Sequence, residues 1–300
     1  MSQANALAGY AGVARAPFLL LPVTLVANGA AAQAYVGGFS WIHTSLAAIG
    51  LVAAHAAVNV KNEVIDFETG LDFATVRTPF SGGSGTLPAG ALSVGKAKGF
   101  FWLNLLVAAL VAVALVAQVG WPLVPIIAAG LFFTVCYSPY LTRTGIGEVA
   151  AGLGLGLLPV LGAAVAQDGM VSSVAVAAGV PGFFMTFNLL LLNELPDEEA
   201  DRAGGRCNLV LLLGRRGAAR LYLLAAGLCP LSIAAGVALG MLPWSCLFAM
   251  APVLALVPAI RWALGDTAAA VPLPALGGNV MWNLGTNALL AAGFVAARWI

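Results

Sequence analysis

The chain has 300 residues, of which 61% are hydrophobic and only 8% charged, and its mean hydropathy is +0.97. Soluble chains carry roughly 25% charged residues, so this composition excludes a water-soluble globule and places the chain in a bilayer. The net charge of +1 excludes nucleic acid as a partner, because a duplex needs a basic face. The four cysteines, Cys136, Cys207, Cys229 and Cys246, have no C-x-x-C spacing and read as buried apolar side chains rather than a zinc site or disulfide framework.

A window of ~20 residues, enough to cross ~30 Å of hydrocarbon, predicts nine apolar spans near 15–36, 40–62, 98–118, 121–139, 146–166, 170–193, 217–240, 242–262 and 275–297. The expected fold is therefore all-α: one domain over 1–300, with nine transmembrane helices around a central cavity. Of the 13 Lys and Arg, all except Arg298 fall on the N-terminal side of this topology. By the positive-inside rule that side is cytoplasmic. The opposite connections, around Tyr35 to Gly38, Gly120, Asp168 and Leu242, are short, so the room for chemistry lies on the inner face.

Most of the 12 carboxylates gather in two windows at the cytoplasmic ends of the second and sixth spans. The first holds Glu63, Asp66, Glu68 and Asp72; the second holds Glu194, Asp197, Glu198, Glu199 and Asp201. Asn59, Asn62 and Asp66 are spaced to share one helix face, with His55 one turn further inward, and Asn193, Asp197 and Asp201 repeat every fourth residue. Carboxylates that close repel one another unless a cation intervenes. Carboxylate and amide oxygens without a His or Cys cluster suit Mg²⁺, which typically takes one or two protein carboxylates plus substrate phosphates. Lys61 and Arg77 stand near the first window, Arg202 and Arg206 near the second, and Arg143 between them, which reads as a diphosphate site.

At these residues the chain resembles the UbiA-type superfamily of intramembrane prenyltransferases. The first box reads Asn62-Glu63-Val64-Ile65-Asp66 with Asp72 beyond it, and the second runs from Asn193 through Asp197 to Asp201-Arg202. The spacing from Asp66 to Asp72 and the pair Gly205-Arg206 look most like the naphthoate branch, which makes menaquinone precursors. Arg15 and Pro17 before the first span, and Tyr137-Ser138-Pro139 with Arg143 after the fourth, agree with it. The chain departs from the pattern at Glu63, where the family has Asp, and at Cys207-Asn208-Leu209, where that branch has a Thr-Leu pair preceded by Arg.

The resemblance implies Mg²⁺-dependent transfer of a polyprenyl group from its diphosphate to an aromatic or other lipophilic acceptor. In that reading Asp66, Asp197 and Asp201 hold the metal with Asn62 and Asn193, and Asp72 is a further ligand directly or through water. Arg143, Arg206, Lys61 and Arg15 bind outer diphosphate oxygens. Tyr137 and the phenylalanines Phe183, Phe184 and Phe187 face an allylic cation, and Asp66 or Asp72 serves as base toward an acceptor hydroxyl. The Gly/Ser run after Arg77 reads as a cap whose backbone N–H groups close over phosphate, or as a connector. Asn279, Asn283 and Asn287 on the ninth span read as interhelical hydrogen-bonding residues. A secondary transporter is the competing class; it would place its charges near mid-membrane, where this chain has almost none.

Overall fold

The computed structural model describes residues 3–75 and 77–299, and these residues form helices and no strand. A short α1 (Gln3–Val13) precedes α2 (Leu20–Val36), α3 (Trp41–Glu68), α4 (Val94–Val119) and α5 (Leu123–Cys136). The next span begins as α6 (Gly147–Gly152), passes through a π segment at Leu153–Leu157 and ends as α7 (Leu158–Asp168). α8 (Ser173–Glu194), the short α9 (Glu198–Ala203) and α10 (Leu209–Ala238) follow. A 3₁₀ segment at Trp244–Leu256 leads into α11 (Val257–Leu264), and α12 (Leu273–Trp299) ends the chain. Side-chain caps start several of these helices, with Ser40, Ser93, Ser172 and Asn208 each accepting a backbone N–H of the first turn. Gly120 ends α4, and Gly169 ends α7 in the left-handed conformation that its turn requires.

Among the described residues eight helical stretches are long and apolar enough to cross a membrane. The fourth expected span, near 121–139, differs. Its helix, α5, has 14 residues and measures about 21 Å at 1.5 Å per residue, short of the hydrocarbon thickness. The span from Trp244 to Leu264 reaches across in spite of its two prolines. The 13 residues in 3₁₀ form rise about 2.0 Å each, giving about 26 Å, and α11 adds about 12 Å. With this many apolar helices and lipid-facing side chains such as Leu110 and Val113 on α4, the chain is an integral membrane protein. Trp41, Trp121 and Trp244 are exposed at the end opposite the acidic loops, where indole rings suit a membrane interface.

Consecutive spans are neighbours, and α12 packs against α2 to close the ring. The half made by α2, α8, α10 and α12 is held by a buried polar ladder. Asn28 Nδ2 donates to Asn287 Oδ1 at 3.1 Å, Asn283 Nδ2 to Thr186 Oγ1 at 3.3 Å, Asn279 Nδ2 to the Asn188 carbonyl at 3.0 Å, and Tyr222 Oη to Asn279 Oδ1 at 3.1 Å. The interhelical role expected for the three α12 asparagines is therefore observed. Each such bond contributes about 0.6 kcal/mol in a bilayer. The π segment meets α8 at close range, because Leu155 leaves helical geometry (φ −125°, ψ 17°) and its carbonyl accepts from Thr186 Oγ1 at 3.1 Å.

This close approach needs glycine. A Cβ on Gly156 would run into the Gly182 carbonyl oxygen, whereas one on Gly227 of α10 would meet open space. Gly156→Ala is expected to destabilise the detergent-solubilised protein by about 1–3 kcal/mol, and Gly227→Ala to leave it as stable or slightly more so. Thermal unfolding of both variants checks this; equal midpoints would show that the π segment can shift away from α8.

Candidate active site

α3 runs unbroken to Glu68, so its face repeats through the whole acidic window, and His55, Asn59, Asn62 and Asp66 all line one cavity of about 750 Å³. α8 supplies Asn193 and Glu194, and the turn after it supplies Asp197. Asp72, Arg15, Tyr137 and Arg206 complete the polar end, together with the loop residues Ser81, Gly82 and Gly83. The remaining walls are apolar side chains of α3, α4, α5, α7 and α8, and Ala47 lies about 28 Å along α3 from Asp66 at 1.5 Å per residue. Leu115, Leu123, Val165 and Ala166 pack together at that far end. Val113 of α4 and Leu131 of α5 line the cavity while remaining exposed, so the cavity reaches the lateral surface of the protein between these helices.

The two acidic windows meet through Arg206. Its Nη2 donates to Asp66 Oδ1 at 2.5 Å and its Nη1 to Asp201 Oδ1 at 3.1 Å. The ion pairs hold the guanidinium protonated against the burial that opposes its charge. Asn62 Nδ2 donates to Asp66 Oδ2 at 2.9 Å, and Asn208 Nδ2 to Asp201 Oδ2 at 2.9 Å.

The loop after α3 is fastened across both windows. Glu63, fully buried, accepts from Arg15 Nε at 2.7 Å and from the Ser84 backbone N–H at 2.8 Å and hydroxyl at 2.6 Å. Gly82 N–H donates to Asp197 Oδ2 at 3.2 Å. Gly83 has φ +75°, and a Cβ there would press on the Asp72 carboxylate, so glycine is required twice over. Arg15 is the one non-glycine residue with positive φ (50°) among the described residues, and this turn between α1 and the Ala16–Leu19 3₁₀ segment brings its guanidinium to Glu63.

Several predicted site residues lie elsewhere. Lys61 is next to Asn62 but on another face of α3; its Nζ donates to the Val135 carbonyl at 2.6 Å and sits 5.5 Å from the Phe101 ring centroid, outside the cavity. Arg143 is exposed in the 3₁₀ turn after α5 and does not line the cavity. Phe187 packs on the Leu191, Val210 and Tyr222 side of α8; the aromatic walls are Phe18, Phe80, Phe133 and Tyr137. Asp201 is buried behind Arg206 instead of facing the cavity, because the helix stops at Glu194, turns at Leu195-Pro196 and restarts at Glu198, which breaks the fourfold spacing. Glu194, given no role from the sequence, faces the cavity, and Glu148, expected only to serve the dipole of its own helix, is fully buried and accepts the Leu209 N–H at the start of α10 through Oε1.

The donor set suits a hard cation. Asp72 Oδ2, Asn193 Oδ1, Glu194 Oε2 and Asp197 Oδ1 are buried oxygens without a hydrogen-bond partner, and all four residues line the same polar end. Such oxygens are costly unless a cation or its waters reach them. Burial, reinforced by the charges of Glu63 and Asp66, pushes the Asp72 carboxyl up to about 6, and burial with the Asp201 charge pushes Asp197 up to about 7. Asp201 rises to about 6, again from burial, with Arg206 opposing. Among the described residues no three His, Cys, Asp or Glu side chains stand close enough to hold an ion unaided. The residues fit a cation that completes its shell with water and phosphate oxygens.

The family model of the UbiA prenyltransferase family matches residues 20–273. A 1,4-dihydroxy-2-naphthoate octaprenyltransferase of Bacillus subtilis (strain 168) is 28% identical over 178 residues, covering 55% of this chain and 53% of that protein, so the match spans about half the length of this relative. The apo structure of a UbiA homolog from Aeropyrum pernix K1 superposes with a TM-score of 0.72 at 19% identity, covering 94% of this chain and 98% of the other. A UbiA homolog from Archaeoglobus fulgidus, in a structure bound to GPP and Mg²⁺, gives 0.66 at 16% identity over 97% and 100%. These structures share the fold, and with the family match over most of its length the chain belongs to the UbiA prenyltransferase family.

Proposed function

We propose that this chain transfers a polyprenyl group from an isoprenoid diphosphate to an aromatic acceptor, with a hydroxynaphthoate as the first candidate. The observation that carries the reading is the cavity itself: four unpartnered buried oxygens and two arginines at one end, and an apolar channel to the lateral surface at the other. An amphiphile with an anionic head and an oily tail matches both ends. The B. subtilis relative is named for this acceptor class, and the A. fulgidus homolog binds GPP and Mg²⁺.

Mg²⁺, when bound, supplies positive charge to the departing diphosphate. Asp66, Asp72, Asp197, Asn62 and Asn193 would hold it directly or through water, and Glu194 joins them by position. Asp201 acts behind Arg206, fixing the guanidinium. Arg206 and Arg15 present N–H groups at the polar end, where negative charge grows on the diphosphate as its C–O bond breaks. The loop at Ser81–Gly83 shields that end from water, and Phe18, Phe80, Phe133 and Tyr137 turn aromatic faces or edges toward the space an allylic cation would occupy. A carboxylate at this end, Asp66 or Asp72, takes the acceptor hydroxyl proton, which makes the ring carbon more nucleophilic. We place the polar end, the N-terminus and the acidic loops on the cytoplasmic side of a bacterial- or archaeal-type plasma membrane, on the strength of the Lys and Arg distribution. The residues 1–300 act as one unit in this reading. Transport has less support, since the cavity ends under Leu115, Leu123, Val165 and Ala166.

Purified protein given Mg²⁺, geranylgeranyl diphosphate and 1,4-dihydroxy-2-naphthoate is expected to release diphosphate and yield a prenylated product by mass spectrometry. Asp66→Asn and Asp197→Asn should each lower the rate by at least about 100-fold; a variant that keeps full activity would remove that residue from the site. A pH dependence follows from the raised carboxyls. Because Asp72 and Asp197 have folded values of about 6 and about 7 against 3.8, the folded chain holds more protons than the unfolded chain between these limits. Stability of the metal-free protein therefore falls as pH rises from about 4 to 7 and levels off above. Added Mg²⁺ should raise the unfolding midpoint more at pH 8 than at pH 5, with proton release at the lower pH; an equal rise at both would contradict binding at these carboxylates.

A further inference from the structure

One polar side chain in the cavity is used by nothing described so far. His55 lies 11 residues before Asp66 on the same face of α3, about 16 Å deeper at 1.5 Å per residue. It is 6% exposed, lines the cavity, and its Nδ1 has no hydrogen-bond partner. The other polar groups that line this deeper part are committed: Thr134 Oγ1 donates to the Gly130 carbonyl at 2.9 Å, Thr186 Oγ1 to the Leu155 carbonyl at 3.1 Å, and Asn59 Nδ2 to the Ala14 carbonyl at 2.9 Å. Nδ1 is enclosed by the protein, and Nε2 makes no hydrogen bond among the described residues, so it is through Nε2 that the ring meets the cavity; an imidazole left unpaired in such a wall is costly, which implies a ligand atom that pairs with it. The polyprenyl tail has no hydrogen-bonding atom, so the donor cannot supply one.

We propose that His55 recognises an oxygen of the acceptor, and that the acceptor is therefore an aromatic with a hydroxyl or carbonyl remote from the edge that faces the acids. This inference rests on the prenyl-transfer reading and deepens it. The charges divide the acceptor's polar groups between two places. A carboxylate on the ring is best served at the rim, beside Arg15 and Arg206, where desolvation is offset by cations. A neutral hydroxyl or carbonyl is what an imidazole in an apolar wall can pair with, as donor or acceptor. Metal, diphosphate and ring together occupy the three turns of α3 between Asp66 and His55. His55 thus fixes which ring carbon is presented to the donor, as a specificity-determining residue that forms no covalent bond.

The test is equilibrium binding of two probes, 1,4-dihydroxy-2-naphthoate and 1-hydroxy-2-naphthoate, to the whole protein in nanodiscs under reducing conditions with Mg²⁺ and inorganic diphosphate. Wild-type protein is expected to favour the dihydroxy compound by about three- to tenfold, the worth of one hydrogen bond. His55→Leu should abolish this preference while leaving the monohydroxy affinity and the affinity for geranylgeranyl thiodiphosphate unchanged, and His55→Gln should retain part of it. The proposal is overturned if His55→Leu keeps the preference, if it weakens donor and both naphthoates alike, or if wild-type protein binds neither naphthoate. Failure of the parent reading looks different: wild-type protein would then release no diphosphate with any acceptor, whatever it binds.

Discussion

The arginine that joins Asp66 to Asp201 is the contact on which the rest of the site depends. These carboxylates come from segments 135 positions apart in the chain, the last turns of α3 and the short α9, and burial disfavours charge on Asp201. Without Arg206 between them they would repel, and the loop held by Glu63 and Asp197 would have to keep the two windows together against that repulsion. Removing one member of a buried ion network leaves the others uncompensated, at a cost of about 3–5 kcal/mol. The same contact explains why Asp201 is buried behind the site: its charge holds the guanidinium in place, which leaves Asp66 and Asp197 to face the cavity.

The two halves of the ring divide the work. α2, α8, α10 and α12 are locked by the asparagine ladder and by glycine contacts that let backbones touch, and they hold one wall of the cavity fixed. The opposite wall, made by α3, α4 and α5, is thinner; α4 turns most of its surface outward, and α5 is too short to span the bilayer alone. In the proposed reaction this asymmetry would give an oily tail a way in from lipid without loosening the acids. The loop that crosses the polar end is tied at Glu63 on one side and Asp197 on the other, so its position depends on both windows.

What could be read from the sequence follows the continuity of the helices. The stripe His55, Asn59, Asn62 and Asp66 was legible because α3 runs straight through it. The stripe Asn193, Asp197 and Asp201 was only half legible, because Pro196 interrupts the helix that its spacing assumes. Lys61 and Arg143 resembled phosphate ligands by proximity in the chain, yet a neighbouring position on a helix points about 100° away, and Lys61 follows that geometry. Phe187 failed for the same reason, lying on the packed face of α8. Glu63 could not be placed by pattern at all. Its partners, Arg15 and the Ser84 backbone, belong to segments whose conformations are set by tertiary contacts, and a positive φ at Arg15 leaves no mark in composition. The class of the protein, by contrast, was written in its hydropathy and in the two acidic windows.

The most direct test of the joined windows is a structure of the protein with Mn²⁺ in place of Mg²⁺ and geranylgeranyl thiodiphosphate bound, with the metal located by anomalous scattering. The account predicts manganese between the Asp66 and Asp197 carboxylates, the diphosphate against it within reach of Arg206, and the tail running along α3 toward α4 and α5. Manganese at any other place, or a diphosphate bound outside the space between these carboxylates, would contradict it.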